Sequence, residues 1–263
     1  MMDFFSKLLG LPVLAGENGR DVDNLIIYIH WLMIALFVGW FAYFVYAVWR
    51  FSAKRNPKAD HLGVRSHISN YIEIVVVVCE VVLLVGFAIP MWARAADVTR
   101  LSPEKAKDAV NIQVVAQQFN WNVRYPGKDG IFGKQDMKFV SETNMFGIDP
   151  TDANGKDDVQ VSPASEIHLP VNKTIIASIS SKDVIHSFKV IAMRVTQDAI
   201  PGMRIPCWFH PTKEGHYQIN CAQLCGNGHS SMSGGFLVIE SQAKYDEWLA
   251  AKSKAGAAPA SFE

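Results

Sequence analysis

The sequence has no surplus of either charge. Its 25 lysines and arginines balance 25 aspartates and glutamates, so the basic footprint of a nucleic-acid-binding protein is missing and no nucleic-acid partner is expected. No internal repeat is visible, which argues against a repeat array. No CxxCH motif occurs among its four cysteines, so no haem is attached in that way. At 263 residues, 49% of them apolar, the chain has room for one or two domains.

Charge is also missing locally. Leu25 to Trp49, "LIIYIHWLMIALFVGWFAYFVYAVW", carries none. At ~1.5 Å per residue this run is long enough to cross a ~30 Å hydrocarbon layer. Tyr71 to Trp92, "YIEIVVVVCEVVLLVGFAIPMW", is interrupted only by Glu73 and Glu80. The two runs predict a transmembrane helical hairpin over 25–92, with spans at 25–49 and 71–92. Between them, Arg50, Lys54, Arg55, Lys58 and Arg65 outweigh Asp60, whereas the N-terminal flank offers only Lys7 and Arg20. That excess places the connector in the cytoplasm and both termini outside, although Arg94, Arg100, Lys105 and Lys107 on the far flank oppose it. Residues 1–24 read as an interfacial lead-in on the outer side. A cleaved signal peptide is the alternative, but the apolar run is short and broken by Pro12.

After Trp92 the character changes. Residues 93–109 form a polar linker, and from 110 the segments become short, rich in Val, Ile and aromatics, and separated by Gly, Pro and Asn. Strands are expected in "VNIQVVAQQ", "FNWNVRY", "SEIHLP", "KTIIASIS", "VIHSFKVI", "HYQIN" and "GGFLVIE". Many alternate apolar and polar residues, as strands buried on one face do. Roughly 130 residues over 110–240 suffice for an all-β sandwich or barrel. The stretch 128–163, dense in Gly, Asp and Asn, reads as a long surface excursion. Residues 241–263 predict a short helix presenting Tyr245, Trp248 and Leu249 on one face, then a loose tail.

The chemistry concentrates in "CAQLCGNGHSSM", residues 221–232. Outside a membrane, Cys221 and Cys225 could form a disulfide. Two thiolates and His229 could instead hold zinc with one further ligand. Met232 points elsewhere, because a thioether is a poor zinc ligand but suits copper, as thiolates and imidazoles do. A mononuclear blue-copper site uses one thiolate, whereas two thiolates able to bridge, with two histidines and a methionine, can serve two coppers. The second histidine must come from His168, His186, His210 or His216, since His30, His61 and His67 belong to the hairpin or its connector. Spacing alone does not choose among the four. Cys79 and Cys207 lie outside the motif and read as small apolar packing residues.

"DVIHSFKV" from Asp183, "QDAIPGM" from Gln197 and the 221–232 motif closely resemble subunit II of haem-copper cytochrome c oxidases. The two spans and "QQFNWNVRYPG" are similar too, so the resemblance runs from about Leu25 to Glu240. It implies a cupredoxin fold, a Greek-key β-sandwich or barrel, carrying the binuclear copper A centre (CuA). On that pattern Cys221 and Cys225 bridge two coppers. His186 and Met232 complete one, and His229 with the main-chain carbonyl of Gln223 completes the other. The resemblance therefore selects His186. It also implies an electron-transfer subunit of a respiratory oxygen reductase, set in a bacterial inner (plasma) membrane with its copper domain on the periplasmic side. Electrons would come from a separate c-type cytochrome, protein or subunit, and pass to haem in subunit I, where oxygen becomes water in a proton-translocating complex with further subunits. A membrane-tethered copper carrier and a zinc- or disulfide-stapled structural module are the competing classes. Quinol-oxidase relatives lack the cysteines, and nitrous oxide reductases share the copper motif without the hairpin.

Five positions depart from or extend that pattern. Many relatives have Glu where Gln223 stands, and its side chain helps hold magnesium at the boundary with subunit I. A neutral amide is a weaker ligand for that cation. Many carry Trp where Phe119 stands, as the site where electrons enter, and a second Trp matching Trp121, which leaves Trp121 the better candidate here. Glu73 matches a family glutamate at the mouth of a proton path. Glu80 stands where relatives tend to have proline. An acid at mid-helix costs on the order of 2.5–3.5 kcal/mol to insert, so Glu80 should face protein or water.

Overall fold

The computed structural model describes residues 2–58, 62–63, 66–127 and 129–256. Asp60, His61 and Arg65 of the connector lie outside the described residues, as do residues 257–263 of the tail. The chain forms two compact units, one of residues 1–11 and 21–94 and one of residues 12–20 and 95–263.

The first unit is helical. A short helix α1 (Met2–Leu8) precedes α2 (Gly19–Arg50), whose 32 residues begin ahead of the charge-free run and take in Arg20, Asp21 and Asp23. The return helix is α3 (Ile68–Leu83), a π-helical turn over Leu84–Ala88, and α4 (Ile89–Ala96). Pro90 explains the π turn: it brings no N–H to the ladder and its ring crowds the carbonyl four residues earlier, so the hydrogen bonding shifts register just before it. Both helices are long and apolar enough to cross a membrane. No residue of α3 is buried within the chain, so its Val- and Ile-rich surface, Glu73, Cys79 and Glu80 included, is left for other surroundings.

The second unit opens with α5 (Pro103–Lys107), capped by the Ser102 hydroxyl, and continues as a β-sandwich. Its strands are β1 (Val110–Gln117), β2 (Asn120–Tyr125), β3 (Val159–Val161), β4 (Glu166–Pro170), β5 (Ile175–Ser181), β6 (His186–Val190), β7 (Val195–Ala199), β8 (Ile205–Phe209), β9 (Gly215–Cys221) and β10 (Gly235–Glu240). They form two five-stranded sheets, ordered β3-β2-β1-β5-β8 and β4-β10-β9-β6-β7. β1 runs parallel to β5 and β10 parallel to β4, while the other neighbours are antiparallel. Alternation does what the sequence demands of it: Ile112, Val114 and Ala116 of β1 and Ile175, Ala177 and Ile179 of β5 turn inward to meet Ile167, Leu169, Phe188, Val190, Ile219 and Leu237 of the facing sheet. The C-terminal helix α6 (Gln242–Gly256) adds Tyr245, Trp248 and Leu249 to that core.

Three strands, β3, β7 and β8, have no counterpart among the segments expected from sequence. The stretch 128–163 is also more than a surface excursion. Met145, Phe146 and Ile148 form a small second core against Val115. The Arg124 guanidinium, fully buried, donates to the Asp158 carboxylate, to the Gly133 carbonyl at 2.9 Å and to Gln113 Oε1 at 3.2 Å, and lies over the Phe132 ring. This pair ties the excursion to β2.

Residues 12–18 are built into the same unit. The Ala15 amide donates to the Ala192 carbonyl at 2.8 Å, the Glu17 amide to His210 O at 2.9 Å, and the Thr212 amide to Ala15 O at 2.7 Å. Arg194 donates to the Pro12 carbonyl at 2.7 Å, and Ala15 is fully buried. The segment is a clasp on the sandwich.

Candidate metal centre

Two loops at one end of the sandwich bring the sulfur and imidazole side chains together. β9 ends at Cys221, the chain turns through 222–228, and a 3₁₀ segment (His229–Gly234) leads into β10. His186 begins β6, beside β9, where Phe188 pairs with Cys221. One adjacent hairpin and one tight loop therefore supply every donor.

Their atoms converge. Cys221 Sγ and Cys225 Sγ are 4.0 Å apart, about twice a disulfide bond length, so the two thiols are unbridged. His186 Nδ1 lies 3.1 Å from Met232 Sδ and 4.0 Å from Cys221 Sγ. His229 Nδ1 lies 3.4 Å from Cys225 Sγ, which is itself 3.4 Å from Met232 Sδ. The carbonyl of Gln223 accepts from Cys221 Sγ at 3.0 Å, while the residue itself is exposed. Among the described residues, His186, Cys221 and Cys225 form a group whose ligand atoms lie within 4.8 Å of one another.

The surroundings fix the orientation of these donors. His186 is fully buried, and its Nε2 lies 2.8 Å from Asp183 Oδ1. A carboxylate only accepts, so Nε2 carries the proton and the Nδ1 lone pair is left facing the sulfurs. Burial alone would raise the Asp183 pKa, but hydrogen bonds from the Gln118 amide, His186 and the Val184 amide prevail and hold it below the ordinary carboxylate value. The Gln118 side chain also donates to the Cys225 carbonyl at 2.6 Å. Trp121 Nε1 donates to the Met232 carbonyl at 3.0 Å, with the indole in T-shaped contact with the His186 and Phe188 rings. Phe119 packs closely against the loop: a Cβ on Gly228 would fall 2.4 Å from Phe119 Cδ2, so only glycine allows the approach. Gly226, at φ +135°, is needed for the turn itself.

Burial, then the neighbouring Cys221, pushes the Cys225 thiol up to about 11. Without a cation Cys225 is a thiol at neutral pH, and a metal must displace its proton. The donor set fits copper: two thiols, two imidazole Nδ1 atoms and a thioether, all soft or borderline. Sulfurs 4.0 Å apart can also share a cation at the ~2.3 Å typical of thiolate–metal bonds.

The structure thus gathers His186, Cys221, Gln223, Cys225, His229 and Met232, with Trp121 buried behind them and Phe119 half-buried over the loop. The other three candidate histidines lie elsewhere in the sandwich. His168 stacks on Trp248 and lies 2.9 Å from Glu240, His210 contacts Thr174, and His216 is exposed on β9. Cys207 is buried in β8, and burial pushes its thiol up to about 12. Glu73 sits in the first unit, exposed on α3. Sequence reasoning left the residues that orient the imidazoles unnamed. Asp183 is one, three positions before His186 and within the same motif; Gln118, which holds the loop, has no sequence signal.

The family described as cytochrome C oxidase subunit II, periplasmic domain, matches residues 110–241. The alternative cytochrome c oxidase subunit 2 of Bradyrhizobium diazoefficiens is 28% identical over 249 residues, covering 95% of this chain and 86% of that protein. The probable cytochrome c oxidase subunit 2 of Rickettsia conorii is 32% identical over 238 residues, covering 90% and 69%. Among solved structures, the periplasmic domain of subunit II of cytochrome oxidase of Bradyrhizobium japonicum aligns with a TM-score of 0.41 and 26% identity, over 56% of this chain and 96% of that one.

Proposed function

The chain belongs to the cytochrome c oxidase subunit II family, and from that premise we propose that its β-sandwich holds a binuclear CuA centre that takes electrons from a c-type cytochrome and delivers them to haem in subunit I. It is an electron-transfer subunit of a haem-copper oxidase; the reduction of oxygen belongs to the complex. The observation that carries the copper reading is the convergence of Cys221, Cys225, His186, His229 and Met232, with both imidazoles presenting Nδ1.

Cys221 and Cys225, as thiolates, would hold the pair together, with His186 and Met232 serving one ion and His229 with the Gln223 carbonyl serving the other. Bound there, the copper pair supplies a one-electron carrier whose charge is shared, so little bond rearrangement accompanies reduction. The protein's part is to keep the donors still. Asp183 holds the proton on His186 Nε2, Gln118 pins the Cys225 carbonyl, and Trp121 pins that of Met232. Trp121 is buried, so its role as an electron conduit rests on its bond to the Met232 carbonyl, and the half-buried Phe119, two residues earlier in the turn between β1 and β2, is the more exposed of the two. The exposed, uncharged Gln223 side chain offers a magnesium ion little. Glu73, exposed on a membrane-spanning helix, remains the candidate mouth of a proton path in the boundary with subunit I. The chain is a membrane protein with a periplasmic domain, and the bacterial inner membrane is the compartment that fits this role.

Copper analysis of the purified chain, with its paramagnetic spectrum, tests the reading. Two coppers per chain and one unpaired electron shared between equivalent nuclei are expected, and Cys225→Ser should abolish that spectrum. One readily exchanged copper, or zinc, would overturn it.

A further inference from the structure

A groove of about 390 Å³ lies on the outer face of the first sheet, between the 128–163 excursion and the β7–β8 turn. Its charge is one-sided. Lys182 and Arg204 line it, and no aspartate or glutamate does among the described residues. Neither cation has a carboxylate partner among those residues. Among the described residues the Lys182 ammonium meets the Met145 sulfur, at 3.6 Å. The field of Arg204 reaches the buried Arg124, whose pKa is lowered by burial first and by Arg204 besides, although Asp158 opposes both. Ser178 and Ser180 face outward from β5 and floor the groove. The rim is apolar and adaptable, with Met137 and Met203 exposed at 85% and 51%.

Two positive groups over a floor of hydroxyls recognise a carboxylate, while the methionine rim needs apolar cover that a small hydrated anion would not give. The groove also adjoins the turn that orients a copper ligand. Ser181, part of its lining, donates to the Val184 carbonyl at 2.5 Å and accepts from the Asp183 amide, and Asp183 holds His186. We propose that this groove seats an acidic segment with apolar flanks from another subunit of the oxidase. The proposal rests on the assembly described under Proposed function. Charge complementarity selects the occupant: a carboxylate between Lys182 and Arg204, with its apolar neighbours covering Met137 and Met203.

The intact complex and the isolated full-length chain are treated with an acetylating reagent, and the complex separately with a carbodiimide, which joins an amine to a carboxylate in direct contact. In the complex, Lys182 should be acetylated at least about tenfold more slowly than in the isolated chain, as expected where the occupied fraction exceeds nine-tenths. The carbodiimide should join Lys182 to an aspartate or glutamate of another subunit. A Lys182→Glu/Arg204→Glu chain should keep its copper but co-purify with less of that subunit. Equal acetylation in both forms overturns the proposal. So does a cross-link only to the c-type cytochrome, or protection of the isolated chain by inorganic phosphate alone. Failure of the functional reading would look different, as a chain that neither binds two coppers nor joins a haem-bearing complex.

Discussion

At the scale of single residues, the proton on His186 decides how its ring meets a metal. Asp183 keeps that proton on Nε2 from 2.8 Å and is itself held ionised by two backbone amides. Removing the carboxylate frees both tautomer and ring angle. Asp183→Ala should therefore weaken copper binding by about 10–100-fold, the usual cost of losing such an outer partner, as measured by competition with a chelator. Unchanged affinity would mean that packing alone fixes the ring. The proposed copper loop could be picked out in the sequence because a compact cluster of donors draws most of its members from one short segment, and Cys221, Cys225, His229 and Met232 lie in such a segment. His186 was not legible from spacing. Four histidines were equal candidates, and only strand pairing, which the chain's linear order conceals, sets His186 beside Cys221 while His168 and His210 engage Glu240 and Thr174. Asp183 was hidden for a related reason, since its reach depends on the geometry of a turn.

Among the elements, the strands that pattern reading missed are those at sheet edges. β3 and β8 flank one sheet and β7 ends the other. Edge strands need bury little and are often short or contain proline. β3 has three residues, β7 buries only its first and last, and β8 carries Pro206. Central strands such as β1 and β5 alternate cleanly and were visible. The 128–163 stretch hid its order differently: its polar composition conceals one buried ion pair. Asp158→Ala would leave Arg124 charged, buried and without its carboxylate, a loss of roughly 3–5 kcal/mol by analogy with other broken buried pairs. Urea unfolding measures that, and limited proteolysis should cut first within the loosened excursion. A loss below about 1 kcal/mol, the scale of a surface pair, would show that the second core suffices without the pair. The clasp offers a pH test. Burial lowers the His210 pKa below its ordinary 6.5, Glu17 opposing and Lys105 adding to the shift. The unfolded chain then binds the proton more readily than the folded one. The stability linked to this group is complete above pH 6.5 and is lost as pH falls through the depressed folded value. Melting temperature should therefore decline on acidification below neutrality, and His210→Gln should flatten that decline.

For the whole molecule, the clasp constrains how the chain threads the membrane. Residues 12–18 hydrogen-bond to Ala192, His210 and Thr212 of the β-sandwich, so they must share its compartment. The chain then leaves through α2 and returns through the helix of residues 68–96, both long and apolar enough to span. Two crossings that begin and end on one side put the connector on the other, and its Lys- and Arg-rich composition favours the cytoplasm. Backbone pairing and loop charge thus lead independently to the same topology. Cysteine labelling in spheroplasts with a membrane-impermeant maleimide checks both, measured against the background of the parent chain. Val13→Cys, on the exposed side of the clasp, should react in intact spheroplasts, whereas Lys58→Cys in the connector should react only after the membrane is opened. Labelling of Lys58→Cys from outside would break the hairpin. Protection of Val13→Cys until the membrane is opened would instead show that the clasp, and with it the β-sandwich, faces the cytoplasm.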